Sequence, residues 1–333
     1  MQLAKYLLKQ TAIKSTQESY FSENNVFSAF EFTTAIMPEH AGIVPGLKST
    51  VSISVKDGKL LSSSDFVPQG IAVAGDYVLI TAYDHTKASY SVMYVIDKKT
   101  RRYITTFITD TTSHVGGVAY DSRNKYVWIA SGSSVLGMPY ADIVNAAAVS
   151  AADPIVTAFK ITEFPKTFKT LTTASYLTFF DNLLWAGKFN ETDNDNIYGY
   201  YIDLIRNEIT PKYIIEAPVK AQGMTFYKPG KDVFLAVSTS FGRNNKSTLR
   251  LYKTSYDSPQ AVEGATYKRI KKNTAYKTPI FPPMSEGIAE SDGLFYILFE
   301  SAAKEYRGGI DKDSSNRDRM DKYIVMKSEL LFK

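Results

Sequence analysis

The residues able to do chemistry in this chain are few, and they fall at matching positions of a repeat. Glu286 and Glu300 are the carboxylates best placed for acid–base work. Two carboxyls flanking a substrate are what glycoside cleavage requires, one as acid and the other as base or nucleophile. Asp84 is a third carboxylate at an equivalent place, followed at once by His85. With His114, this set holds two of the chain's three histidines, and imidazole with carboxylate suits several divalent ions. Neighbouring residues of a strand point to opposite faces, so Asp84 and His85 are not expected to grip one ion together. No metal ligand is therefore assigned, although a divalent cation in the same place stays open as an alternative. Lys188 and Arg243 offer the opposite chemistry, a clamp for a carboxylate or phosphate. Gln69, Gln222 and Ser240 add neutral hydrogen-bonding groups.

What brings these residues together is a pair of strands written five times. The segments are PQGIAVAGDYVLITAYDH from Pro68, HVGGVAYDSRNKYVWIASGS from His114, TASYLTFFDNLLWAGKFN from Thr173, AQGMTFYKPGKDVFLAVSTSFGR from Ala221 and SEGIAESDGLFYILFESA from Ser285. Each is split by a turn signal such as Asp-Asn, Pro-Gly or Asp-Gly, residues that supply the backbone angles a hairpin needs. Third and fourth strands follow most pairs. They read SVMYVID and YITTFIT after the first pair, IYGYYID and PKYIIEA after the third, and TLRLYKTSY and ATYKRI after the fourth. Four antiparallel strands recurring roughly every 45 to 65 residues spell an all-β propeller. Five blades are expected, with six as the alternative if one is hidden in the N-terminal segment.

Two blades are irregular. In the second, SVLGMPYADIVNAAAVSAADP replaces the third strand, and its Ala-rich part suits a helical turn. The fifth carries the charged insertion KEYRGGIDKDSSNRDRMD before YIVMKSEL. Its Asp311, Asp313, Asn316 and Asp318 have calcium-loop character but lack the glycine of the sharp turn, so a solvated loop is expected. KLLSSSDFV, just before the first repeat, is positioned to supply the outer strand that closes the ring and removes its free edges. Residues 1–50 are expected to be a lead-in, helical or disordered in part, with VFSAFEFTTAI as an extra strand; residues 51–333 form the propeller.

Propeller geometry turns the repeat into a map. The starts of the inner strands and the ends of the second strands open onto one face around the central channel. Gln69, His114, Ser175, Gln222 and Glu286 come from the first set. Asp84, His85, Ser131, Lys188, Asn190, Ser240, Arg243 and Glu300 come from the second. A convergent polar cluster in a concave apolar scaffold is the default place for a site.

Composition narrows the classes. Aromatic residues make up 13% of the chain, with 23 Tyr and 19 Phe, a bias toward pleated, half-buried surfaces. The net charge of +5 is spread without like-charge blocks, which argues against a nucleic-acid footprint. Absence of cysteine excludes disulfides, thiolate zinc sites and a Cys nucleophile. No apolar run is long enough to span a bilayer, and the opening MQLAKYLLKQ is a poor secretory signal. The chain is expected at the cell surface or outside if a signal peptide has been removed, in the cytoplasm otherwise, and as a soluble monomer. No P-loop, GxSxG, HExxH or Rossmann glycine pattern is present. Trp128 and Trp185 lie in second strands and are expected in the core.

The pairing of QGIAV with SVMYVID, and of QGMTF with STLRLYK, resembles bacterial propeller proteins with YVTN or NHL type repeats. That resemblance implies a fold rather than an activity. Gln222-Gly223 followed by Val237-Ser238-Thr239-Ser240-Phe241-Gly242-Arg243 and Ser247-Thr248-Leu249-Arg250 resembles the five-bladed glutaminyl cyclases, whose catalytic Glu position is Val237 here. The leading expectation is a propeller that binds a small polar ligand or a protein partner at the channel mouth. The alternative is an enzyme, cyclase-like acyl transferase or hydrolase, using Glu286 or Glu300 as acid or base.

Overall fold

The computed structural model describes residues 7–9, 14–21, 38–153, 156–254, 259–262, 265–268, 275–307 and 319–332. The charged stretch with Asp311, Asp313, Asn316 and Asp318, and the extra strand at 26–36, lie outside the described residues. The chain is a five-bladed β-propeller, each blade built on four antiparallel strands of which the first faces the axis. The inner and second strands are Phe66–Ala74 with Tyr77–Asp84, Val118–Asp121 with Tyr126–Ser131, and Tyr176–Phe180 with Leu183–Gly187. Blades four and five repeat this with Ala221–Tyr227 and Val233–Thr239, then Ser285–Ser291 and Leu294–Phe299.

The turns explain why these pairs form locally. Asp181 and Asn182 take φ of 52° and 60°, and Asp292 and Gly293 take 55° and 76°. Two successive left-handed residues match the twist of the strands they join, which is why Asp-Asn and Asp-Gly mark these hairpins. Each neighbouring pair of blades then shares its own apolar core. Leu79 and Ile129 belong to the core between blades one and two, and Phe66 and Tyr296 to that between one and five. Trp128 serves blades two and three, Trp185 serves three and four, and both indoles are 0% exposed.

Several outer strands depart from the expected assignments. Ring closure does use an N-terminal strand, but it is His40–Ile43, paired with Lys322–Lys327 of blade five. Leu60–Ser63 instead folds back on Thr50–Ile53 as a separate hairpin, and Phe66 already begins the inner strand of blade one. Blade two keeps its third strand, Ser134–Pro139; the helix Tyr140–Ala152 follows it, and Lys166–Lys169 is the outer strand. Between helix and outer strand, Val156–Lys160 joins blade one in parallel, and Leu7–Lys9 pairs with it. In blade four the outer strand is Ala275–Lys277, while Ala265–Lys268 pairs with Pro259–Val262. Residues 14–21 strap the closing seam. Gln17 donates to the carbonyls of Ile43 and Arg101, and buried Asp321 accepts from Ser19 Oγ and the Tyr20 and Phe21 amides.

The inner strands meet at a waist where backbone touches backbone. A methyl on Gly70 would lie 2.9 Å from the Val118 amide nitrogen, and one on Gly117 would lie 2.4 Å from that of Leu177. On Gly223 it would meet the Glu286 carbonyl oxygen at 2.7 Å, and on Gly287 the Ile71 nitrogen at 2.7 Å. Only glycine permits this approach, and it leaves no room for a water molecule along the axis at this level.

The waist has a measurable consequence. Gly117→Ala is expected to cost about 3 kcal/mol or more in urea unfolding, because rigid backbone must move. Gly58→Ala, at φ 68° with open space around it, is expected to cost only about 1 kcal/mol. Equal losses would show that the axis is not closed by backbone contact.

Candidate functional site

Above the waist the strands splay and leave a blind cup of about 630 Å³. Gln69, His114, Lys188, Gln222, Ser240, Arg243, Glu286 and Glu300 line it; Asp84 and His85 do not. A shared backbone device aims the key side chains inward. Gln69-Gly70, Gln222-Gly223 and Glu286-Gly287 all sit where the inner strand slips register against its neighbour. Such bulges re-aim a side chain and bend the strand, and the following glycine enters the waist.

Glu286 and Glu300 form the heart of the cup. Ser285 pairs with Phe299, so the residues that follow lie at adjoining ends of antiparallel strands. Glu286 is 3% exposed and Glu300 8%. Gln69 Nε2 donates to Glu300 Oε2 at 2.8 Å and to the Pro68 carbonyl at 3.1 Å. The two carboxyls lie within reach of each other and interact directly. Burial raises both pKa values. The charge of Glu300 and its direct interaction with Glu286 push Glu286 well up. Glu300 is raised less, because its interactions with Glu286 and Gln69 and the positive charge of Arg243 favour its ionised form. Two like charges on buried, adjoining carboxyls cannot both ionise cheaply, which favours one proton held by the pair.

The walls come from every blade. A short helix, Lys304–Arg307, follows Glu300 and supplies Glu305 and Tyr306. Arg243 Nη2 pairs with Glu305 Oε1 at 3.0 Å and lies 5.2 Å over the Tyr306 ring. His85 Nε2 reaches the other oxygen of Glu305 at 3.4 Å, which keeps it on the rim. Burial pushes the Tyr83 hydroxyl up to about 12, so it stays protonated. His114 stacks on Tyr83 with ring centroids 3.9 Å apart. Its ring is open to solvent at the mouth and crowded by protein behind. That crowding, with Lys87 and His85 nearby, pushes its pKa down and keeps it neutral. Lys188 lies 3.8 Å from Asp195, and Gln222 Nε2 donates to the Ser240 carbonyl at 3.4 Å.

Asp84 is buried and committed elsewhere. It accepts from the amide and hydroxyl of Thr86 at 2.9 and 2.7 Å, and from those of Ser89 at 2.9 and 2.6 Å. Its carboxylate thus pins the loop after the second strand. Among the described residues, no group of three or more His, Cys, Asp or Glu side chains is arranged to hold a metal ion.

Sequence reasoning missed Phe189, Phe241 and Tyr306 as cup residues. Reading one residue further along the second-strand ends gives the first two, each directly after an expected residue. Tyr306 lies in what read as the charged insertion, and no local pattern marked it.

No family model matches the sequence, and no curated protein matches it either. The chain is similar in structure to the Kuenenia stuttgartiensis hydrazine synthase, at 10% identity and a TM-score of 0.37. The match covers 73% of this chain and 58% of that one, so the chain spans less than two thirds of the length of that protein. Neither the YVTN and NHL repeats nor the glutaminyl cyclases gain support from these comparisons.

The acid pair leaves a signature in stability. Below the ordinary carboxyl range, folded and unfolded chains both hold the protons. As pH rises, the unfolded chain ionises first while the buried pair holds its proton, so stability falls with pH. Glu286→Gln keeps size and a donor but cannot ionise. It is expected to exceed the wild type by about 1 kcal/mol or more at about pH 8 and to match it near about pH 4. A difference independent of pH would contradict the buried pair.

Proposed function

We propose that the chain binds a small polar molecule in the cup, with the Glu286–Glu300 pair as the group that reads it. The observation that carries this reading is the pair itself: two carboxyls buried at the floor of an open cup, with no lysine or arginine hydrogen-bonded to either among the described residues. A buried, incompletely compensated charge costs stability, and such groups cluster where ligands or reactions need them. The volume of about 630 Å³ suits a small molecule. The polar groups sit on the floor, while the rim charges are occupied with one another, Arg243 and His85 with Glu305 and Lys188 with Asp195. That distribution favours a molecule that enters over a protein that docks across the mouth.

A second reading has its own support. One carboxyl holding a proton beside one that accepts it is the arrangement of a general acid–base dyad. Acyl transfer or hydrolysis fits it. Two-carboxylate glycoside cleavage does not, because it needs roughly 5 to 9.5 Å between the groups, and these two interact directly. Any turnover is expected to vanish in Glu300→Gln, with folding intact.

The binding reading is tested by thermal melting with a panel of sugars, amino acids, amines, carboxylates and phosphates. A ligand of the folded state adds about 2.7 kcal/mol at a hundredfold excess over its Kd. At least one class is expected to raise the midpoint, and Ser175→Trp, which fills the cup, is expected to abolish the shift. Silence across the panel, or a shift untouched by Ser175→Trp, would overturn it.

A further inference from the structure

We infer that the cup takes its ligand by a primary ammonium group, which sits against the Glu286–Glu300 pair. This rests on the binding reading above and adds the class of ligand. The floor carries two buried carboxyls, and Glu300 accepts from the neutral amide of Gln69. An ammonium has three donors and no acceptor, and ionised carboxylates are acceptors only, so the two are complementary. With a positive charge against them both carboxyls can ionise, which their mutual repulsion otherwise opposes.

Competing ligand chemistries fit less well. Calcium or magnesium would need six or more oxygens and zinc three or four protein ligands, and among the described residues no third carboxylate or histidine joins the two. An anion would meet the ionised carboxylate at the floor, while the rim cations already face Glu305 and Asp195. A polyol could hydrogen-bond there but would leave the charge uncompensated. The side walls supply Phe189, Phe241 and Met284, apolar surface for the stem that carries the amine.

The exchange balances in charge and atoms. A protonated amine enters, Glu286 gives up its proton to solvent, and the complex holds two carboxylates and one ammonium. The other charged or titratable groups around the pair do not take over this role. Tyr83 and Tyr306 remain protonated, and His114 is already neutral. Arg243 and His85 face Glu305, and Lys188 faces Asp195.

The test is isothermal titration of the full chain with n-butylamine, n-butanol and butyrate, in buffers of different ionisation heat. Butylamine is expected to bind with release of one proton, its affinity rising up to about tenfold per pH unit across the neutral range. Glu300→Gln is expected to weaken it about tenfold or more. Glu286→Gln, checked by melting to be folded, is expected to abolish the proton release. Preferential binding of butanol or butyrate would overturn the amine while leaving the cup a binding site. Binding without proton release, or unchanged by both variants, would overturn it as well. If no probe binds, the amine is overturned, and the broader panel above decides the cup separately.

Discussion

The structure depends on backbone contact at the propeller axis. Five inner strands can converge only if something small stands where they meet, and here Gly70, Gly117, Gly223 and Gly287 let one blade's main chain touch the next. Blade three supplies Tyr176 and Leu177 at this level, so its own backbone is what the glycine of blade two meets. The contact closes the axis and makes a cup of what would otherwise be a channel. It also fixes the place of the side chain before each glycine, because the bulge that admits the glycine turns Gln69, Gln222 and Glu286 toward the cup.

Blade five is where this plan carries a charge. The same position that holds a glutamine in blades one and four holds Glu286, and the strand beside it ends in Glu300. The surroundings moderate the conflict without removing it. Gln69 reaches across from blade one to bond Glu300, and Arg243 contributes charge from blade four while bonded to Glu305. The short helix after Glu300 brings Tyr306 over the site and ties the rim together. Blade five is also where the ring closes, through His40–Ile43 and the strap bonded to Asp321. The buried carboxyl pair and the seam of the fold therefore share one blade.

The sequence displayed this arrangement unevenly. The repeated Gln-Gly and Glu-Gly pairs, the hairpin turns and the ends of second strands are local patterns, and they place most of the cup. The closing strand is a non-local choice between short segments of similar character, so nearness to the first repeat pointed to Lys59–Val67 and the fold chose His40–Ile43. Val156–Lys160 joining blade one across the helix of blade two is likewise a long-range pairing with no local signal. Asp84 shows a missed local one: Thr86 and Ser89 behind it spell a carboxylate that bonds its own loop. The contact between Glu286 and Glu300 follows from blade geometry, but its shared proton emerges only from burial.

The most direct measurement is the infrared carbonyl stretch of protonated carboxylic acids at neutral pH, compared between wild type and Glu286→Gln. A buried acid band in the wild type that is missing from the variant is the expected result, since one carboxyl of the pair keeps its proton where exposed carboxyls have lost theirs. Identical spectra, with no protonated carboxyl at neutral pH, would contradict the shared proton and with it the chemical reading of the cup.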